Sequence, residues 1–205
     1  MAMELREALS QIDEIRRQMA RTEVFRGYRS LPVAFSGVLA WVAAFAQATW
    51  IGEPTRDLPA YLGLWSIAAA IGLTAAAAEM ALRARQDPRW AREHTRLAVE
   101  QFLPCLVAGG LTTLVLFRAA EGSAWMLPGL WSIFFALGIF ASKRLLPGAI
   151  GWVGLYYLAC GLANLALAQG EWTLSPWAMG LPFGGGQLLA ALVLYRTLER
   201  DHGDE

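Results

Sequence analysis

Six apolar runs dominate this chain, and each is long enough to cross a lipid bilayer. A transmembrane helix needs about 20 mostly apolar residues at a rise of about 1.5 Å each. The runs cover residues 31–51, 58–82, 97–119, 125–142, 146–168 and 176–197. They occupy most of the 205 residues and leave no room for a second globular domain. Hydrocarbon offers the backbone no hydrogen-bond partner, so each run must satisfy itself as a helix. A β-barrel would instead show strands of about ten residues with alternating polarity, and these runs do not alternate. The spacing predicts an all-α integral membrane protein. A cytoplasmic segment, 1–30, precedes a six-helix transmembrane bundle, 31–198, and a cytoplasmic tail, 199–205, follows it.

Orientation follows from lysine and arginine. Of 17 such residues, only Arg56 and Arg118 fall on one side of the spans. The rest lie in 1–30, in the 83–96 loop, at Lys143 and Arg144, and at Arg196 and Arg200. The richer side is cytoplasmic. Both termini are therefore expected inside, in a multi-pass protein of the cell's inner membrane, with the first span an uncleaved signal anchor.

Residues 3–25 read as an amphipathic helix, with Leu5, Leu9, Ile12, Ile15 and Met19 on one stripe. That stripe has three uses: packing under the bundle, pairing in a homo-oligomer, or lying along lipid headgroups. Asp87-Pro88 reads as a helix start, so the third helix is expected to begin before its apolar run. Pro104, inside that helix, is expected to kink it.

Gly63-Leu64-Trp65-Ser66-Ile67 recurs letter for letter as Gly129-Leu130-Trp131-Ser132-Ile133. A looser version stands at Gly180-Leu181-Pro182-Phe183-Gly184, and Leu-Pro pairs occur at 31–32, 103–104 and 146–147. Together they predict three parallel two-helix pseudo-repeats about an axis along the membrane normal.

Little here points to catalysis. No span contains His or Asp, and no metal-ligand or nucleophile motif is present. Cys105 and Cys160 sit in apolar runs and read as small buried residues. The chain reads as a non-enzyme without metal or cofactor. A formal net charge of zero gives a nucleic-acid partner no support.

Three groups remain as candidates. Glu79 and Glu100 lie inside span ends on adjacent helices and suit an ion or proton site, or local pairing with Arg83 and Arg96. Gln187 follows three glycines, 184–186, and Pro182 at mid-membrane, near the depth of Tyr156 and Tyr157. A weakened sixth helix with Gln187, Gly185 and a tyrosine would line a ligand site, or would serve helix packing. Trp65 and Trp131, deeper than the interfacial tryptophans, would wall an aromatic pocket, or would pack in the interior. The leading functional expectation is binding or transport of a small, largely apolar molecule or lipid within the bundle. A second is a membrane sensor or accessory subunit signalling through the N-terminal helix. A third is a proton- or cation-coupled channel using Glu79 and Glu100.

Topology is directly measurable. In a background lacking Cys105 and Cys160, Arg56→Cys, Ala120→Cys and Gly170→Cys are expected to react with an impermeant maleimide from outside the cell. Arg89→Cys and Arg200→Cys are expected to stay unlabelled; outside labelling at residue 89 would overturn the orientation.

Overall fold

The structure is a computed structural model that describes residues 30–85, 88–144, 146–167 and 170–200. The amphipathic segment 3–25 and the tail after 200 lie outside the described residues. Every regular element among those described is helical. Six helices are long and apolar enough to cross a membrane.

Helix α1 is Ser30–Trp50, with Pro32 in its first turn, where a missing N–H costs nothing. Helix α2 is Leu58–Ala84. Asp57 accepts a 3.2 Å hydrogen bond from the Ala60 N–H at its start. Helix α3 is Pro88–Ala119, starting where Asp87-Pro88 indicated, with Pro104 inside it. A 3₁₀ turn, Glu121–Met126, leads into α4, Leu127–Ala141. Helix α5 is Ile150–Leu167. It begins later than the apolar run, because Pro147 and Gly148 form a turn in which the Ile150 N–H donates to the Pro147 carbonyl. The sixth helix, α6, is composite. An α-turn, Pro176–Met179, is followed by a π segment, Gly180–Gly185, then α-helix over Gly186–Leu194 and a π segment, Tyr195–Arg200. The departure falls on the glycine-rich stretch around Pro182.

Each helix packs on the next in sequence, and α6 returns to α1 to close a ring. The end at which α2 runs into α3 is called the basic end here, and the opposite end the tryptophan end. Glycines set the closest approaches. A Cβ at Gly161 on α5 would lie 2.7 Å from Ile133 Cγ1 and 2.8 Å from the Gly129 carbonyl on α4. A Cβ at Gly129 would lie 2.8 Å from the Gly161 carbonyl. Gly180 of α6 sits as tightly against Ala44 of α1. Small residues let backbones approach until dispersion contacts are dense.

Two buried clusters result. At the tryptophan end, Ala40, Ala43 and Ala44 of α1 meet Tyr61 and Trp65 of α2, Leu127 of α4, Leu174 and Met179. At the basic end, Ala136 and Ile139 of α4, Val153 and Tyr157 of α5, and Ala190 and Leu194 of α6 form the core. Among the described residues, α2 contributes none to the second cluster. Beyond Trp65, Gly72 is its one buried residue among those described. Helices α2 and α3 meet only lightly. The bundle is therefore closed at the tryptophan end and splayed at the basic end.

Gly161→Ala is expected to overpack the α4–α5 crossing and lower stability by about 1–3 kcal/mol. Gly110→Ala, which meets nothing within 4 Å, is expected to leave stability unchanged or slightly higher. Unfolding of both in mixed micelles, followed by circular dichroism, checks the contrast.

Candidate functional site

Gln47 is the fully buried amide of α1. Its Nε2 donates to the Leu174 carbonyl at 2.7 Å, and its Oε1 accepts from Trp65 Nε1 at 2.8 Å. One side chain thus ties α1 to α2 and to the loop that enters α6. Leu174 holds φ +54°, a left-handed conformation that costs a non-glycine residue on the order of 1 kcal/mol. Its burial and the Gln47 bond hold it there.

Trp131 repeats the arrangement. Its Nε1 donates to Thr113 Oγ1 at 2.8 Å, again on the preceding helix and again 18 residues earlier. Both indoles nominated as pocket walls are therefore engaged by the fold. Trp65 is buried and Trp131 half-buried. The matching serines differ, for Ser132 is buried and Ser66 exposed.

The break in α6 is repaired from α5. Pro182 has no N–H, so the carbonyl of Ala178 loses its helical donor. Asn164 Nδ2 donates to that carbonyl at 2.7 Å. The Tyr156 hydroxyl donates to the Leu181 carbonyl at 2.8 Å within the π segment. The three glycines are then covered one by one. A Cβ at Gly184 would lie 2.5 Å from Trp41 Nε1, one at Gly185 2.6 Å from the Tyr156 hydroxyl, and one at Gly186 2.5 Å from the Tyr157 ring. Gln187 faces α1 instead, its Cβ 3.1 Å from where Gly37 would carry one. The structure thus joins Tyr156 and Tyr157 to Gly185 and Gly186, and sets Gln187 on the α1 side.

Tyr157 also belongs to an aromatic cluster. Its ring centroid lies 4.7 Å from Phe135 and 5.5 Å from Phe183, and Phe135 lies 5.0 Å from Phe102. The Tyr157 hydroxyl is buried without a partner, as is that of Tyr61. Glu79 is half-buried and Glu100 exposed, and each has an interaction partner. Among the described residues, no three His, Cys, Asp or Glu side chains gather as a metal site would require.

An open apolar groove of about 470 Å³ lies between α1 and α2 on the splayed side. Phe35, Ile67, Ala70, Ile71, Thr74 and Ala75 line it. Thr74 turns its hydroxyl back to the Ala70 carbonyl at 2.7 Å, so the lining presents no free donor. Sequence reasoning missed this groove and the role of Gln47. The signals were there: alanines crowd α2 from Ala68 onward, and Gln47, Gln101 and Asn164 join Gln187 as amides inside apolar runs.

No protein-family model, curated protein or solved structure matches this chain.

Asn164→Ala is expected to lower stability by about 1–3 kcal/mol, the cost of an orphaned buried acceptor. In a Pro182→Ala background, which restores an N–H to α6, the same change is expected to cost less. Equal costs in both backgrounds would show that Asn164 is not compensating for the proline.

Proposed function

We propose that this is a polytopic membrane protein that binds a small, largely apolar molecule or lipid and holds it between helices. The groove between α1 and α2 is the observation that supports this reading. It is apolar, it lies within two membrane-spanning helices, and it opens where α2 leaves the core. An occupant there exchanges lipid contacts for protein contacts, with no polar group to desolvate. The groove lies along the half of α2 that runs toward the basic end, the side that the arginine distribution assigns to the cytoplasm in this reading. The interior around Gly184–Gly186 fits a packed scaffold better than a second cavity, because aromatic atoms already stand at each glycine.

The internal repeats belong to the same proposal. Two hairpins share an indole bond at one separation, and Asn164 stands the same distance before Pro182 as Gln47 stands before Trp65. The Leu-Pro pairs do not share that register: aligning Trp65 with Trp131 puts Pro32 at Ala98 and not at Pro104. The tryptophan and amide positions are therefore the better markers of the repeat.

Ala70→Trp is expected to fill the groove. In native mass spectrometry from mild detergent, wild-type protein is expected to retain an adduct of lipid or metabolite mass, and Ala70→Trp to lose most of it. Equal retention in a folded variant would sink the groove as the site.

A further inference from the structure

We infer that the occupant of the α1–α2 groove is one acyl chain of an anionic glycerophospholipid from the leaflet at the basic end, its phosphate at the level of Arg85 and of the arginines beside it in the sequence. The inference rests on the binding reading above and names its ligand class. Three observations lead to it.

The first is the wall chemistry. The six lining residues present ring, methyl and methylene surface, and the one hydroxyl among them is already bonded to its own helix. A hydrocarbon chain needs no more and tolerates no less. A ligand with a polar body would leave its own groups unpaired there.

The second is depth. From Ile71, in the groove, to Arg83 and Arg85 is about 18–21 Å at 1.5 Å per residue. One leaflet offers about 15 Å of hydrocarbon and about 6 Å of headgroup. A lipid whose chain reaches Ile71 therefore sets its phosphate at the level of those arginines.

The third is charge. Arg85 is exposed at the end of α2, and the sequence places Arg83 before it and Arg89, Arg92 and Arg96 after it. The acids in the same stretch are Glu79, half-buried and already partnered, with Asp87 and Glu93 in the loop, so residues 79–96 carry five arginines against three carboxylates. A zwitterionic headgroup brings its own cation into that arginine-rich zone, and an anionic one does not. Each basic side chain near an anionic surface is worth roughly 1 kcal/mol, or about fivefold in retention.

The test uses the full chain reconstituted in nanodiscs of equimolar phosphatidylglycerol and phosphatidylcholine, released and weighed by native mass spectrometry. Wild type is expected to keep phosphatidylglycerol over phosphatidylcholine by about fivefold or more. Arg83→Gln combined with Arg85→Gln is expected to bring the ratio toward one. Both positions lie past the groove, so this variant reads the headgroup without altering the walls. Ala70→Trp is expected to lower retention of both lipids. Equal retention of the two lipids by wild type, still lost in Ala70→Trp, would overturn the anionic assignment and leave the apolar site standing. A wild-type preference that survives the double arginine variant would also overturn it. Retention that a folded Ala70→Trp leaves unchanged would overturn the groove itself.

Discussion

In hydrocarbon, an apolar side chain gains little by leaving lipid for protein, so helices associate where backbones come close enough for dense dispersion contact. Glycine placement then decides which helices stay together. Gly129 and Gly161 let α4 and α5 cross with a carbonyl facing each Cα; between α1 and α6, Gly37 faces the Gly184 carbonyl, while Gly180 takes the Ala44 methyl and Gly184 the Trp41 indole. Among the described residues, the glycines of α2 and α3 make no such backbone crossing along either helix. Gly110 of α3 and Gly63 of α2 face open space, and Gly72 meets only Ser36 Cβ at 3.3 Å. The splayed half of α2 follows from that scarcity, and the groove follows from the splay.

The same scarcity of water makes each backbone irregularity a debt to a neighbour. A proline and a π segment in α6 unsettle carbonyls that lipid cannot satisfy. Asn164 and Tyr156 of α5 answer at Ala178 and Leu181. The wider turn would leave gaps at three glycines, and Trp41, Tyr156 and Tyr157 occupy them. A discontinuous membrane helix often marks a binding site. Here its irregularity is absorbed by side chains from both flanking helices, and α6 is half-buried, more than any other span.

The six spans were legible because hydropathy and length act locally. The start of α3 was legible for the same reason, since Asp87-Pro88 is a local signal. The start of α5 was not, because Pro147-Gly148 is apolar by composition yet folds as a turn. The identical pentapeptides show where sequence reasoning ends. Gly63 faces open space and Gly129 a helix crossing; Ser66 is exposed and Ser132 buried. The same five letters have different neighbours because α4 packs closely on both α3 and α5, while α2 packs closely only on α1. Gln47 was visible as an amide in an apolar run, but its partners are a tryptophan 18 residues on and a carbonyl 127 residues on. No local pattern reports a contact of that range.

The two ends of the bundle differ in what it would take to open them. At the basic end, α2 is already apart from the core, and an apolar molecule entering the groove breaks no polar contact. At the tryptophan end, separating α1 from α2 would break the Trp65–Gln47 bond and leave both groups unpaired in a dry core. Each orphaned group costs about 1–3 kcal/mol. Moving the loop would also free the Leu174 carbonyl and expose a leucine that is now fully enclosed. Opening that end therefore needs a source of several kcal/mol. Binding from one side asks for none of this. Parting the helices is therefore costlier at the tryptophan end than at the basic end, because only the tryptophan end is tied by buried polar bonds between α1, α2 and the loop that enters α6.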